Sequence, residues 1–148
     1  MEAKTTGDLN DILKNNRDID IDAYSRLLEK QPYHDYVSYM DYLIAEKKLT
    51  RKAIFQRADL PVKYGYKLLT EEARTSDRDK LLRIFIAMEM TVDECCRALN
   101  YYGLAPLYPR IKRDTIIILE LHQQHGSVDT VNERLIEAGE EPLSASSV

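Results

Sequence analysis

Apolar residues recur at helical spacing along the central part of the chain. Two of these stripes are Tyr36, Val37, Met40, Leu43 and Ile44, and Leu81, Leu82, Phe85 and Met88. Side chains three and four positions apart share one face of an α-helix, so each stripe predicts an amphipathic helix. Thr91 and Glu94 have the spacing of a capping box at the start of a further helix. The pattern predicts helices over residues 36–47, 51–58, 62–69, 77–88 and 92–102, and therefore an all-α fold.

Shorter apolar stripes flank this central part. Two short helices are predicted before it, from Leu9, Ile12 and Leu13, and from Ile21, Tyr24, Leu27 and Leu28. After it, helices are predicted over residues 110–124 and 128–138, with a turn at Gly126-Ser127. Gly139 ends the last helix, and the residues beyond it are predicted to fray. The chain thus divides into an N-terminal helical leader (1–35), a central domain (36–102) and a C-terminal helical hairpin with a tail (103–148).

The segment from residue 49 to residue 69 predicts two short helices joined by a tight turn. Thr50 is suited to cap the first helix, and Asp59-Leu60-Pro61 ends it and begins the second. The second helix presents polar and aromatic side chains outward, namely Lys63, Tyr64, Tyr66 and Lys67. This is a helix-turn-helix pattern. One helix of this size fits the major groove of DNA, where cations meet phosphates and polar tips reach base edges.

The charge of the chain is strongly segregated. Its 148 residues carry a formal net charge of −4, which is unusual for a protein that grips a polyanion. Residues 51–83, however, hold nine cations and five anions, and residues 97–113 hold four cations and no anion. Residues 114–148 hold seven acids and one cation. Because a phosphate responds to charge within a Debye length of about 8 Å, a local basic face can bind DNA within an acidic protein.

With these helices in place, residues 50–95 resemble the Xre or lambda-repressor-like family of bacterial and phage helix-turn-helix regulators. The resemblance covers residues 36–99 and implies a five-helix core. It implies that Thr50-Arg51 lies where a side chain braces a phosphate or base, that residues 61–69 form the recognition helix, and that residues 76–82 lie near another backbone contact. Three positions depart from the family pattern. A small residue is usual at Phe55, and glycine is usual at Asp59 and near Glu71-Glu72, where two carboxylates would weaken phosphate binding.

The predicted DNA-binding residues come from three parts of the chain. Lys63 and Lys67 lie one helical turn apart beside two tyrosines, which favours DNA contact over an ordinary solvated face. For Arg110, Lys112 and Arg113, contact of their loop with a phosphate and an ordinary solvated position are equally expected. Arg110 at a helix N-terminus opposes the dipole, which indicates that a partner or a local carboxylate compensates it. The full set is Arg51, Lys63, Tyr64, Tyr66, Lys67, Arg74, Arg78, Arg110, Lys112 and Arg113. The tyrosines of residues 33–42 are instead predicted to pack in the core or at an interface.

Other chemistry is disfavoured by the sequence. His122 and His125 lack a convincing third metal ligand, and neighbouring Cys95 and Cys96 are unsuited to a structural disulfide. The chain shows no phosphate loop, nucleophile elbow or partnered carboxylate pair, so we expect neither an enzyme nor a cofactor. No apolar run is long enough to cross a membrane, and residues 1–5 lack the pattern of a secretory signal. A cytoplasmic location is expected.

Two functional classes remain open. The first is a sequence-specific regulator that binds double-stranded DNA as a homodimer, since one short helix reads too few base pairs to select a site. The second is a protein-interaction adaptor or inhibitor that keeps the fold and binds a protein through its acidic C-terminal part. The apolar run 116–119, with Val128, Val131, Leu135 and Ile136, is expected either to dock on the central helices or to form a dimer interface, with the dimer favoured. The predicted core comprises Leu43, Ile54, Phe55, Leu60, Leu68, Leu81, Leu82, Phe85 and Leu99.

Overall fold

The protein is built from α-helices. A computed structural model describes residues 4–15 and 20–144, and within these ranges it contains nine helices and no strand. The helices are α1 (Thr6–Asn15), α2 (Ile21–Glu29), α3 (Tyr36–Glu46), α4 (Arg51–Ala58), α5 (Val62–Thr70), α6 (Arg78–Ala87), α7 (Val92–Tyr102), α8 (Lys112–Gln123) and α9 (Val128–Glu137). The all-α prediction is confirmed, and the ends of α3 to α9 lie within two residues of the predicted ends.

Local side-chain and backbone interactions explain where the helices begin and end. The capping box predicted at Thr91 and Glu94 is present, and Thr50 accepts a hydrogen bond from the Ala53 amide at 3.3 Å. Asp59 ends α4 in the left-handed conformation, with φ of 53° and ψ of 49°. Glu71 ends α5 in the same way, with φ of 60°. These two residues therefore adopt the left-handed backbone conformation that favours glycine at a helix C-terminus.

One continuous hydrophobic core runs from Tyr33 to Leu143. All nine predicted core residues are confirmed, since each is at most 5% exposed. The core crosses the boundary predicted between residues 102 and 103, because the apolar faces of α8 and α9 dock on the central helices. The docked residues are Ile117, Leu121, Val128, Val131 and Leu135. Two alternatives were expected for this hairpin, docking on the central helices and a dimer interface, and the dimer interface was favoured. Docking accounts for the residues of the hairpin that are buried.

The contact between α4 and α5 has an unusual arrangement of side-chain sizes. Phe55 on α4 is fully buried, and it faces Gly65 on α5. A Cβ atom added at Gly65 would lie 2.4 Å from the Phe55 Cδ1 atom, which is closer than atoms can approach. The large residue is accommodated because the helix opposite it has no side chain at this point. This explains how the contact between α4 and α5 holds a phenylalanine.

The C-terminal segment after α9 is held against the body, and the prediction that it frays is wrong for residues 140–144. Leu143 is 2% exposed, and its amide donates to Asn132 Oδ1 at 2.8 Å. The Arg83 guanidinium donates to the carbonyl oxygens of Leu143 and Ser144. These partners lie about 60 residues apart in sequence, so local propensity could not reveal them. Residues 145–148 lie outside the described ranges.

The leader packs more loosely than the rest of the chain. Among the described side chains before Tyr33, none is buried. Its helices border a cleft beside Tyr33 and Tyr101, and these rings belong to an aromatic cluster with Tyr39 and Tyr42. The packing role predicted for the tyrosines is confirmed for Tyr33, Tyr36 and Tyr39, which are at most 5% exposed. Residues 1–3 and 16–19 of the predicted leader lie outside the described ranges.

Candidate nucleic-acid interface

The outer face of α5 carries the central residues of the predicted site. Lys63 is exposed, and Lys67, one turn further along, is half-buried. Val62 and Tyr66 are 44% and 43% exposed, and Thr70 continues the same face. Neither lysine has a hydrogen-bond or ion-pair partner among the described residues. Sequence reasoning missed Val62 and Thr70, although their spacing of four from Tyr66 places all three on one face.

The two tyrosines of α5 occupy different positions. Tyr66 is exposed at its edge, while its ring packs against Phe55 with centroids 5.2 Å apart. Tyr64 is half-buried against the core and lines a shallow cleft with Pro61, Lys63 and Lys67. Tyr66 therefore lies on the outer face with the lysines, and Tyr64 lies at the side of the helix.

The N-termini of α4 and α5 differ electrostatically from those of the other described helices. Each of the others has an aspartate or glutamate at its N-cap or in its first turn. Helix α4 begins instead with Arg51 and Lys52, and α5 begins after Pro61 with no side-chain cap and with Lys63 in its first turn. Cations at a helix N-terminus oppose the helix dipole, so these ends remain positive and suited to an anion.

Arg51, the first residue of α4, is paired with a carboxylate. Its guanidinium contacts the Asp41 carboxylate at 2.5 Å, and about a third of the arginine side chain and half of the aspartate side chain are exposed. Exposed ion pairs of this kind contribute roughly 0–1 kcal/mol. A phosphate can therefore replace Asp41 as the partner of Arg51 at little energetic cost.

Arg74 and Arg78 point toward their own chain. Arg74 donates to the Tyr102 carbonyl oxygen at 2.6 Å and lies 3.2 Å from a Glu71 carboxylate oxygen. Arg78 contacts the buried Asp114 carboxylate and donates to the carbonyl oxygens of Ala105 and Pro106. These contacts position the loop between α7 and α8, so a phosphate contact by Arg78 would require breaking them.

The cations before and at the start of α8 also differ in how tightly the chain itself binds them. Arg113 donates to both Asp79 carboxylate oxygens, at 3.0 and 2.9 Å. This bidentate hydrogen bonding raises the pKa of Arg113 above its usual range. Lys112 donates to the Ala138 carbonyl oxygen at 2.7 Å, whereas Arg110 is exposed and has no partner among the described residues. A carboxylate compensates Arg113, whereas none of the described residues compensates Arg110, for which a partner or carboxylate was expected. Arg110 and Lys112 are both exposed and accessible to a ligand.

His125 has ordinary partners, and the two cysteines are free thiols. His125 Nε2 lies 3.0 Å from a Glu120 oxygen, and its Nδ1 accepts a hydrogen bond from the Ser127 amide at 2.9 Å. The described residues contain no group of three or more His, Cys, Asp or Glu side chains that can hold a metal ion. Burial raises the pKa of Cys95 and of Cys96, which disfavours their thiolates.

No helix in the described ranges is long and apolar enough to cross a membrane. The chain was compared with known proteins, and no family model, characterised protein or solved structure matches it. Its function must therefore be inferred from the geometry of its own residues.

Proposed function

We propose that the protein is a sequence-specific regulator that binds double-stranded DNA through α5, in the manner of Xre-type helix-turn-helix proteins. The observation that carries the proposal is the outer face of α5. It presents two lysines without intramolecular partners in the described ranges, and α5 itself begins with no side-chain cap and no acid in its first turn. Lysines so placed are available to phosphates, which supply most of the affinity of a protein for DNA.

In this proposal some residues of the face contact phosphates and others contact bases. Lys63, Lys67 and the positive N-terminus of α4, with Arg51 and Lys52, bind phosphates and fix the position of the protein on the duplex. Tyr66 and Val62 face the bases, where an apolar group contacts the thymine methyl group and a hydroxyl reaches a base edge. The turn at Asp59 and the helix order are consistent with a lambda-repressor-like five-helix core formed by α3 to α7.

One of the two acids that follow α5 is offset within the chain. Glu71 is half-buried and its carboxylate lies 3.2 Å from Arg74, so a cation of the same chain offsets its charge. Glu72 remains exposed. The acidic residues of α9 and of the segment that follows it account for much of the net charge of −4. At physiological salt, charges more than about 8 Å from a phosphate are largely screened.

A protein-interaction adaptor is the second candidate, and the composition of the α5 face favours it. Two of the five side chains on that face, Val62 and Tyr66, are apolar or aromatic and nearly half exposed. Aromatic residues are enriched at protein interfaces, and a face with only two free lysines in the described ranges is weakly basic for DNA. The adaptor would use the same surface to bind a protein.

Binding to a pool of genomic DNA fragments, followed by sequencing of the retained fragments, tests the proposal. We expect retention of fragments that share a short motif, and loss of retention in the Lys63→Ala, Lys67→Ala double variant. Matched controls are Lys14→Ala and Lys30→Ala, which remove exposed lysines from the leader. Equal retention by the double variant would reject α5 as the DNA site. Failure to retain any fragment at low salt would favour the adaptor.

A further inference from the structure

The backbone of residues 141–144, which follow α9, is bound by side chains of α6, α8 and α9. These four residues, the docked segment, are neither helical nor part of a strand. Arg113 of α8 donates to the first two carbonyl oxygens of the segment, at 3.0 and 3.1 Å. Arg83 of α6 donates to the last two, at 3.3 and 2.7 Å. Guanidinium groups therefore bind all four carbonyl oxygens of the docked segment.

The amide groups of the docked segment are bound as well. The Leu143 amide donates to Asn132 Oδ1 at 2.8 Å, and the Ser144 amide donates to Asp79 Oδ2 at 3.0 Å. Pro142 has no amide hydrogen, so its position needs no acceptor. Every backbone polar group from the first carbonyl oxygen of the segment to the last thus has a side-chain partner. Helices and strands bond backbone to backbone, so a segment bound in this way resembles a peptide ligand rather than an element of the fold.

Two side chains of the docked segment are also bound. Leu143 is 2% exposed among the apolar side chains of the core, and the Ser144 hydroxyl donates to Asp77 Oδ2 at 2.6 Å. Glu141 is exposed, and Pro142 is half-buried. Because proline fixes its own φ angle, Pro142 lowers the entropy that the segment loses on docking. The contacts therefore favour the sequence Pro-Leu-Ser.

The side chains that bind the docked segment are held by other contacts of the body. Arg113 donates to both carboxylate oxygens of Asp79, at 3.0 and 2.9 Å. Arg83 donates to the Ala58 carbonyl oxygen at 3.1 Å, and Asn132 lies on α9, whose apolar face is docked on the central helices. These contacts do not involve residues 141–144. The side chains are thus positioned in advance, which reduces the cost of binding.

We propose that these side chains form a binding site for a peptide of the pattern Pro-Leu-Ser, and that the docked segment is its tethered ligand. This peptide site comprises Asp77, Asp79, Arg83, Arg113 and Asn132. Hydrogen bonds to the peptide backbone supply affinity, while the apolar pocket for leucine and the acceptor for serine supply specificity. A partner protein that presents this pattern in a non-helical segment displaces the docked segment. The peptide site lies on α6, α8 and α9, so the inference does not depend on DNA binding by α5.

The tether gives the docked segment an advantage over a peptide in solution. Residues 138–140 alone separate the end of α9 from the segment. A ligand on so short a tether has an effective concentration on the order of millimolar. A peptide in solution therefore binds the wild-type chain weakly. Its binding becomes measurable when a substitution weakens the docking of the segment.

Fluorescence anisotropy with the labelled, amidated peptide Glu-Glu-Pro-Leu-Ser, the sequence of residues 140–144, tests the proposal. Leu143→Asp in the full chain places a charge in the apolar pocket and should release the docked segment without loss of helical content. The peptide should bind this variant at least about tenfold more tightly than the wild-type chain, which supplies its own competitor. A peptide with aspartate in place of leucine should bind neither protein. Equal binding of the first peptide to variant and wild type, or its failure to bind the variant, would overturn the proposal.

Substitutions on α9 test whether the peptide occupies the peptide site. In the Leu143→Asp background, Asn132→Ala removes the acceptor of the leucine amide and should weaken peptide binding by about five- to tenfold. Glu133→Gln is the matched control, because it changes the exposed neighbouring residue and should leave binding unchanged. Equal effects of the two substitutions would show that the peptide binds elsewhere and would reject the site.

Ser144→Asp is a second way to release the docked segment. It places a carboxylate against that of Asp77, to which the serine hydroxyl donates, and it leaves Leu143 unchanged. If Leu143→Asp loses helical content by circular dichroism, Ser144→Asp takes its place and should bind the same peptide. Loss of helical content in both variants would show that the segment is part of the fold rather than a ligand, and would reject the proposal.

Discussion

Tyr36 and Tyr102 lie side by side in the core, with ring centroids 4.8 Å apart, but their hydroxyl groups differ in hydrogen bonding. The Tyr102 hydroxyl accepts from the Thr75 amide at 2.8 Å. The Tyr36 hydroxyl is buried and has no hydrogen-bond partner among the described residues. A buried polar group without a partner is destabilising by about 1–3 kcal/mol, so the two hydroxyls have opposite effects on stability.

We expect Tyr36→Phe to raise the free energy of unfolding by up to about 1 kcal/mol, because it removes the unpartnered hydroxyl. Tyr102→Phe, the matched control, should lower it by about 1–2 kcal/mol because the Thr75 amide loses its acceptor. Urea unfolding followed by circular dichroism measures both. Equal losses in the two variants would show that the Tyr36 hydroxyl has a partner in solution.

Because Tyr36 is buried, the stability of the folded protein should depend on pH in the alkaline range. Burial raises the pKa of Tyr36 far above its ordinary value of about 10. Above about pH 10 the unfolded chain can release this proton while the folded protein retains it, so the stability falls as the pH rises. The fall should be smaller in Tyr36→Phe, and urea unfolding repeated at increasing alkaline pH measures the difference.

At the scale of the elements, the contact of Phe55 with Gly65 sets how closely α4 approaches α5. Gly65→Ala places a methyl group within the Phe55 ring, and we expect a loss of about 1–3 kcal/mol from overpacking. Phe55→Ala leaves a cavity and should cost roughly 3–5 kcal/mol. In the double variant the methyl group added on α5 enters the space left by the ring, so the combined loss should be smaller than the sum. Additive losses in urea unfolding would show that the helices separate instead.

The helix ends and the core residues were predictable because their causes are local. Thr50, Asp59 and the Thr91 capping box act within a few residues, and apolar spacing identifies the buried faces. The Gly65 contact was not predicted, because it depends on which position of α5 faces Phe55. The proposal that α5 enters DNA remains a prediction from this pattern and from the exposure of its lysines.

At the scale of the whole molecule, charge pairs that join distant parts of the chain decide which cations remain free. Arg113 and Asp79 are 34 residues apart, and Arg78 and Asp114 are 36 apart. Sequence reasoning counted both arginines as candidates for DNA contact because their partners are not neighbours in sequence. The same folding leaves Lys63 and Lys67 without partners in the described ranges, and these are the two lysines that their spacing beside the tyrosines favoured.

If local rather than net charge governs DNA binding, two pairs of substitutions should affect its salt dependence differently. Lys63→Ala with Lys67→Ala removes two phosphate contacts and should reduce the slope of log K against log salt by about two units. Glu133→Gln with Glu141→Gln changes the net charge from −4 to −2 at two exposed positions outside α5. Because counterion release depends on the phosphates contacted, this second pair should leave the slope unchanged. Fluorescence anisotropy with a selected duplex at several salt concentrations measures the slopes. A steeper slope in the glutamine variant would show that the acidic tail lies near the DNA and that the interface extends beyond α5.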